Sequence, residues 1–363
     1  MTLQCLDVSG VRNIAKAHIE PGSGINLISG DNASGKTSLL EAIHLLSRGR
    51  TFRSKPGEHT IRHGCDEIVV TGRVFGSGAG DLINLGVKRS RNGDLKLRIQ
   101  GRDATSVAEL AAIFPVLVMH TDSQTLLTGG PAQRRAFLDW GCFYAYDEFL
   151  PAWRRYQRAL SQRNTALRGT GKKDLISAWN REMATNATVI DNTRSRLAEE
   201  LSVRIPGLLA QLFQESHLLG LCHQRGWKEG LSLSEALDTD FDRDLRLGST
   251  NSGPHRADLE IIFNHDPAAA VASRGQLKII TAALILALGE VQAAASGRRS
   301  VLLVDDLPSE LDQMSRDRLT SALAASQFQT FISTTTIAHL GKVPEMAHMF
   351  HVEHGNILPV AAG

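Results

Sequence analysis

The stretch INLISGDNASGKTSLL (residues 25–40) decides the fold class, because it places the pattern GxxxxGK[ST] between two regular patterns. The apolar run at residues 25–29 predicts a buried strand. Leucine and isoleucine then recur at helical spacing between Leu39 and Leu46, and Gly49 ends the pattern. The sequence therefore predicts a strand, a glycine-containing loop and a helix in succession.

This loop has the chemistry of a phosphate-binding loop. Glycines let backbone N–H groups surround phosphate oxygens, and the start of the helix adds positive partial charge. Lys36 would neutralise the β and γ phosphates of ATP or GTP, and the Thr37 hydroxyl would ligate Mg²⁺. The residues expected to bind the nucleotide are Gly30, Asp31, Asn32, Ala33, Ser34, Gly35, Lys36, Thr37 and Ser38.

A second apolar run, VLLVDD (residues 301–306), ends in two carboxylates. Ligands of open α/β sheets gather at the carboxyl ends of the strands, where a carboxylate can hold Mg²⁺ and its neighbour can activate water. We assign Asp305 to the metal, and Asp306, together with Lys36, to catalysis. Without a phosphate loop, such a run would be only a strand that enters a turn.

The remaining patterns predict an α/β protein with an inserted helical lobe. Residues 68–100 read as an antiparallel sheet with a hairpin turn at Asn92 and Gly93. Helical signals fill residues 147–211, with breaks near residues 169–173 and at Pro206. Strands and helices alternate from residue 258, which is typical of a mostly parallel sheet. We expect an ATPase lobe with mixed sheets at residues 1–120 and 248–363, and a mainly helical lobe at residues 121–247.

Composition limits the other classes of protein. The 363 residues include 40 Lys+Arg and 38 Asp+Glu, a net charge of +2, so any nucleic-acid site must be a local patch. Four scattered cysteines without a CxxC pair do not support a zinc site or a disulfide framework, which favours a reducing cytoplasm. The most apolar helix candidate, residues 279–288, is too short to cross a bilayer, so we expect no membrane partner.

A third segment, SRGQLK (residues 273–278), precedes a strongly apolar helix. Ser273 can serve as its N-cap, and by itself the segment is only an ordinary capped helix. It resembles the ABC signature LSGGQ, with Arg274 in place of the first glycine of that motif. The resemblance implies that Ser273, Gly275 and Gln276 face ATP held by another subunit, and hence an ATP-dependent homodimer.

Two further segments resemble ABC motifs in the expected order. Residues 308–312 (PSELD) resemble the D-loop, and residues 333–336 (STTT) occupy the switch position, where transporters usually have histidine. Transporters and SMC proteins share this ATPase head, but SMC chains carry long coiled coils that have no room here.

The sequence resembles most specifically the RecF family of bacterial DNA-repair proteins, through motifs spread over most of the chain. It departs from the family's usual Pro-Glu or Pro-Asp at Thr121 and Asp122. The segments that carry the resemblance are VRNI (11–14), GRTFR (49–53), GGPAQRRAFLDW (129–140), QRN (162–164), SGPHRADL (252–259) and DDLPSELD (305–312).

This resemblance implies ATP-driven dimerisation on single-stranded and duplex DNA, including gap junctions, with slow, DNA-dependent ATP hydrolysis. It also implies action with RecR and RecO to load RecA at single-strand gaps in DNA repair, replication restart and the SOS response. The residues alone indicate a nucleotide-switched dimer, so an energy module of a transporter and a purely structural scaffold remain the alternatives.

Two basic clusters are candidates for DNA contact, although either could be a solvated face balanced by acidic neighbours. One lies between Phe149 and Lys173, where no acidic residue occurs, and the other flanks the predicted hairpin. From the first cluster we predict DNA contacts by Arg154, Arg155, Arg158 and Arg163. The second cluster contains Lys88, Arg89, Arg91, Lys96, Arg98 and Arg102.

Overall fold

A computed structural model describes residues 1–53, 60–76, 82–169, 173–306, 311–340 and 347–360. The chain divides into two compact units. The first unit contains Met1–Ser123, Leu208–Glu215 and Lys278–Gly363, and the second contains Gln124–Gly207 and Ser216–Leu277.

The strands of the described residues account for three sheets. They are β1 (Thr2–Val11), β2 (Ile14–Ile19), β3 (Ile25–Ser29), β4 (Glu67–Phe75), β5 (Leu82–Ser90), β6 (Leu95–Ile99), β7 (Arg102–Asp103), β8 (Val116–Met119), β9 (Leu219–Gln224), β10 (Asp258–Phe263), β11 (Asp266–Pro267), β12 (Val301–Asp305), β13 (Gln329–Thr334), β14 (His348–Glu353) and β15 (Asn356–Val360).

The α-helices lie between these strands, and short 3₁₀ turns occur at Thr121–Gln124, Pro254–Arg256 and Ile337–Leu340. The helices are α1 (Lys36–Arg48), α2 (Val107–Ile113), α3 (Thr125–Thr128), α4 (Pro131–Ala145), α5 (Phe149–Arg168), α6 (Lys173–Leu212), α7 (Leu233–Thr239), α8 (Phe241–Leu247), α9 (Ala268–Val271), α10 (Arg274–Ser296) and α11 (Gln313–Ala325).

The first unit contains two six-stranded sheets of different kinds. One has the strand order β2-β1-β4-β5-β6-β7 and is antiparallel throughout. The other has the order β15-β14-β3-β13-β12-β8, in which β14, β3, β13, β12 and β8 run parallel. The α/β class with mixed sheets is confirmed, and so is the hairpin turn, where Gly93 has a φ of 96°.

Helix α1 forms the centre of the first unit's core. It contacts β1, β4 and β5 of the antiparallel sheet and β12 and β13 of the parallel sheet. Leu39, Leu40, Ile43 and Leu46 are all fully buried, because apolar residues surround this helix instead of forming a single stripe. Since β12 is buried at every position, the parallel sheet has covered faces at its centre. The phosphate loop therefore lies between two rigid elements, β3 and α1.

The second unit combines helices with a small antiparallel sheet of order β11-β10-β9. Its bounds differ from those of the expected helical lobe. The second unit includes residues 248–277, which we had expected in the ATPase lobe. These residues belong to the second unit because β10 pairs with β9 along its whole length. The last residues of α6 and the three that follow it, together Leu208–Glu215, belong instead to the first unit, where Arg318 donates a hydrogen bond to the Phe213 carbonyl at 3.1 Å.

Two predictions about helices were wrong. Helix α6 continues through Pro206, where we expected a break. The buried side chains of Leu201, Ile205 and Leu209 on either side offset the lost backbone hydrogen bond. Helix α10 is also longer than expected: it has 23 residues, and an 18-residue stretch of it has a mean hydropathy of 1.7, so it is long and apolar enough to cross a membrane. Most of this helix is buried inside the fold, as in the core helix of a globular protein.

Candidate nucleotide site

The phosphate loop turns tightly because its backbone reaches conformations that favour glycine. Gly30 has a φ of 151°, and a Cβ atom there would lie 2.2 Å from the Val352 carbonyl oxygen. Gly35 has a φ of 125°, and even Ala33 lies in the left-handed region at 62°. Helix α1 begins after Gly35 without a side-chain cap. Its start is therefore open to an anion, as phosphate binding requires.

Lys36 folds back over the loop in this structure. Its ammonium donates hydrogen bonds to the carbonyl oxygens of Gly30 at 2.7 Å and Asp31 at 2.8 Å. Burial lowers the pKa of Lys36, while the charges of Asp306, Asp305 and Asp31 act in the opposite direction. The ammonium is therefore already largely removed from water before a phosphate binds.

The predicted metal ligands lie next to each other. The Thr37 hydroxyl donates a hydrogen bond to Asp305 Oδ1 at 2.8 Å. The fully buried Asp305 also receives a hydrogen bond on Oδ1 from Ser333 at 2.8 Å, and its Oδ2 forms an ion pair with Arg53 at 2.9 Å. The structure thus joins the end of β12 to the first turn of α1, although these residues are 268 positions apart.

Asp306 follows at the point where the chain leaves the sheet. Its φ of 52° is unusual for a residue other than glycine. Its backbone N–H donates a hydrogen bond to Ser333 Oγ at 3.0 Å. Ser333 belongs to the switch segment at residues 333–336, but its contact with Asp306 was not predicted from the sequence.

Two residues of the VRNI segment support the loop from its outer side. Asn13 donates hydrogen bonds to the carbonyl oxygens of Ala33 at 3.2 Å and Ser34 at 2.9 Å, and accepts one from Ser38 at 2.8 Å. Arg12 forms an ion pair with Glu41, which is fully buried in α1. The Ser38 hydroxyl joins this support by donating to Asn13, and its predicted contact with nucleotide stays a prediction.

His120 lies near the same edge, directly after β8, the neighbour of β12. Its ring lies 5.5 Å from that of Phe52, between ring centroids. Burial lowers the pKa of His120, and the charges of Asp122 and Asp305 act in the opposite direction. This histidine is therefore favoured as a neutral group.

The predicted signature segment forms a capped helix start in the second unit. Ser273 Oγ accepts a hydrogen bond from the Gln276 backbone N–H at 3.3 Å, and the Gln276 side chain accepts one from the Ser273 N–H at 2.8 Å. Ser273 is exposed, and nothing lies within 4 Å of a Cβ built at Gly275. No described contact of the chain itself requires glycine there, which leaves room for an outside group.

The other segments with ABC resemblance are only partly described. Residues 308–310 of the D-loop-like segment lie outside the described residues. Asp312 caps α11 by accepting a hydrogen bond from the Ser315 N–H at 2.8 Å. At the switch position, the Thr334 hydroxyl donates to the Thr336 carbonyl at 2.9 Å.

The basic cluster on α5 separates into two groups. Arg154, Arg155 and Arg158 are exposed and form neither hydrogen bonds nor ion pairs with other described residues. Arg163, in contrast, is fully buried and forms an ion pair with Asp244 at 2.7 Å. The prediction that Arg163 contacts DNA is therefore wrong, because its guanidinium is enclosed in the second unit.

Four of the six basic residues of the hairpin cluster have acidic or backbone partners. Lys88 pairs with Glu67 at 2.6 Å and Arg102 with Glu109 at 2.5 Å. Arg91 donates to the carbonyl oxygens of Cys65 and Arg62 at 2.7 and 3.0 Å. This cluster fits a balanced solvated face better than a DNA site.

Several other segments that carried the family resemblance meet inside the second unit. Arg134 forms a bidentate pair with Asp258 at 2.7 and 2.9 Å, and Arg135 donates to the Ala257 carbonyl at 2.8 Å. Tyr156 bonds His255 at 2.7 Å, and burial lowers the pKa of His255 to about 4. These residues hold α4 and α5 against the segment before β10, so they stabilise the unit.

The fold and the site together define the class. A phosphate loop between β3 and α1, with a carboxylate at the end of the parallel strand β12, which β13 separates from β3, is the head of a P-loop ATPase of the ABC and SMC type.

Comparison with known proteins narrows this class. Residues 2–357 match the family model of the RecF/RecN/SMC N-terminal domain. The DNA replication and repair protein RecF of Erwinia tasmaniensis is 41% identical over 358 residues, which cover 98% of each chain. RecF of Yersinia enterocolitica is 42% identical over the same length and coverage. The chain therefore belongs to the RecF family of DNA replication and repair proteins.

Solved structures agree with this assignment. The structure of the recombination mediator protein RecF with ATP, from the RecFOR pathway, superposes with a TM-score of 0.88 at 26% identity and covers 99% of this chain and 97% of its own. An Smc head bound to the C-terminal winged-helix domain of ScpA has a TM-score of 0.61 at 17% identity, covering 99% and 98%, and shows the shared fold.

Proposed function

We propose that this protein is an ATP-switched, DNA-binding repair ATPase that dimerises on DNA, hydrolyses ATP slowly and helps to load RecA at single-strand gaps with RecO and RecR. The observation that carries the proposal is the direct contact of Thr37, beside Lys36, with Asp305. The names of the RecF relatives support the repair role, and a cytoplasmic location follows from it.

Nucleotide binding follows from the loop's own contacts. When a triphosphate enters, the Lys36 ammonium exchanges the carbonyl oxygens of Gly30 and Asp31 for phosphate oxygens. The backbone N–H groups at the start of α1 then face the phosphates. Asn13 keeps the loop in shape during this exchange, because its contacts lie on the carbonyl side of the loop.

The residues around Asp305 fit Mg²⁺, which prefers oxygen ligands and is commonly held by one or two protein groups plus phosphates. The Thr37 hydroxyl and the Asp305 carboxylate would hold the ion, which supplies positive charge against the phosphates. Asp306 lies one residue beyond and would orient water and accept its proton. Arg53 must then leave Asp305 Oδ2, because it already pairs with that oxygen.

A second subunit completes the site in this proposal. The exposed, capped start of α10 at Ser273 offers backbone N–H groups and helix-dipole charge to a phosphate. The open space at Gly275 allows a close approach. ATP would therefore lie between the phosphate loop of one subunit and the Ser273 end of another.

The exposed face of α5 is the best-supported DNA contact. Arg154, Arg155 and Arg158 lie on this face without acidic partners, so they can neutralise phosphates without first breaking an ion pair. Such contacts are independent of base sequence and release counterions.

Replacing Arg154 and Arg158 together by glutamate is expected to weaken duplex binding. The slope of log K for DNA binding against log salt concentration (the salt slope) should become shallower by about two units. ATP affinity should not change, because the phosphate loop belongs to the other unit. Fluorescence anisotropy of a labelled duplex with ATP and Mg²⁺, repeated over a range of salt concentrations, measures both quantities.

The matched control replaces Arg243 and Arg246, two exposed arginines of α8, by glutamate. This control changes the net charge equally but leaves the α5 face intact. A wild-type salt slope in the α5 variant, or an equal loss in both variants, would remove the α5 face from the proposal.

A further inference from the structure

Ser333 contacts both carboxylate residues of the candidate site with one hydroxyl group. It lies at the end of β13, directly opposite Asp305 in the parallel sheet, and is fully buried. The hydroxyl donates to Asp305 Oδ1 at 2.8 Å and accepts from the Asp306 backbone N–H at 3.0 Å. Its hydrogen-bonding capacity is thus directed to these two residues.

The backbone of Asp306 needs such support. A φ of 52° is sterically unfavourable for a residue with a side chain, and aspartate tolerates it at a cost. The hydrogen bond from Ser333 offsets part of this cost and fixes the direction in which the chain leaves β12. Without Ser333, the half-buried N–H of Asp306 would lose this hydrogen bond.

The carboxylate of Asp305 is fixed by the same hydroxyl. Oδ1 accepts hydrogen bonds from Ser333 and Thr37, both at 2.8 Å, so the carboxylate is held between β13 and α1. The neighbouring Thr334, also in the switch segment at residues 333–336, is only 3% exposed and bonds Thr336. The contact from β13 to the carboxylates is therefore made by residue 333.

We propose that Ser333 is a positioning residue that holds the Asp305 carboxylate beside Thr37 and Asp306 in its strained backbone conformation. The proposal deepens the proposed ATPase function and rests on it. It also links β13 to the site, because a movement of β13 would shift the Asp305 carboxylate and the Asp306 backbone together.

Replacing Ser333 by alanine is expected to leave ATP affinity without Mg²⁺ within about twofold of the wild-type value, since the phosphate loop keeps its contacts. The ratio of the ATP affinity in Mg²⁺ to that in EDTA should be about tenfold smaller than in the wild type. This is the effect expected from losing one hydrogen bond to a charged group. Isothermal titration calorimetry with ATP, in EDTA and in Mg²⁺, measures both affinities. Hydrogen exchange of the Asp306 amide should become faster.

Two further variants separate positioning from general destabilisation. Thr330→Val removes another buried hydroxyl of β13, which bonds the Phe328 carbonyl at 3.3 Å, and should leave the Mg²⁺ effect unchanged. Ser333→Cys keeps nearly the same volume with a weaker donor and should give an intermediate loss, which keeps the test valid if the alanine variant folds poorly.

The outcomes distinguish the two proposals. If the wild type binds ATP with the same affinity in Mg²⁺ and EDTA, the metal site fails, and the role of Ser333 fails with it. If the wild type shows the Mg²⁺ effect and Ser333→Ala shows it undiminished, only the positioning role is overturned. An equal loss in Thr330→Val would also overturn it.

Discussion

Lys36→Ala is expected to lower ATP affinity by about 1,000-fold, the effect of losing two charge-assisted hydrogen bonds to phosphate. The loss should be this large because the lysine is 8% exposed and its ammonium already lies within the loop, held by Gly30 and Asp31. Calorimetric titration of the variant with ATP and Mg²⁺ measures the change. ATP-dependent binding to DNA should disappear with it.

Two companion variants sharpen this test. Lys16→Ala removes an exposed lysine of β2 in the same unit and should bind ATP normally. Lys36→Arg keeps the charge but is larger and planar, so it should bind ATP more tightly than Lys36→Ala while placing the γ-phosphate incorrectly. Wild-type ATP affinity in Lys36→Ala would refute the phosphate-loop assignment.

Ser273→Arg and Asp306→Asn are expected to have opposite effects on dimerisation. The arginine puts a bulky cation at the helix start that must approach phosphate, so this variant should bind ATP as a monomer without dimerising or hydrolysing it. The asparagine keeps Asp305, the proposed Mg²⁺ ligand, but removes the carboxylate proposed to activate water, so the ATP-bound dimer should persist. Sedimentation of each variant with ATP and Mg²⁺ distinguishes these states.

The second unit offers a matched control for the lost helix cap. Ser232 caps α7 in the same way as Ser273 caps α10, through a reciprocal bond with Glu235 three residues later. Ser232→Arg should therefore cost a similar stability, about 1 kcal/mol, but leave dimerisation intact. A Ser273→Arg protein that dimerises like the wild type would contradict the composite site.

Local patterns predicted the parts of the fold that are made by neighbouring residues. The phosphate loop, the strand before it and the helix after it lie where the sequence indicated, because glycines and apolar spacing determine them locally. The left-handed Gly49, with a φ of 60°, ends α1 as predicted. The break predicted at Pro206 is absent, because tertiary packing outweighs the cost of a proline inside a helix.

Long-range contacts could not be predicted in the same way. Strand pairing and loop packing bring Ser333, Arg53 and Asn13 to the site. A local sequence pattern does not indicate which distant residues a side chain will contact. Arg163 is different, because its burial could have been predicted from the sequence. It lies seven residues after the buried Tyr156, on the same face of α5 as the buried Leu160 and Leu167, so helical periodicity already placed it inside.

The affinity of the wild-type protein for duplex DNA, with and without ATP and at one fixed salt concentration, tests the central claim most directly. A nucleotide-switched DNA-binding dimer should bind the duplex about tenfold or more tightly when ATP and Mg²⁺ are present, a normal range for coupling between two sites. The lysine variant Lys36→Ala should show no such increase. Equal affinity of the wild type in both conditions would contradict the account.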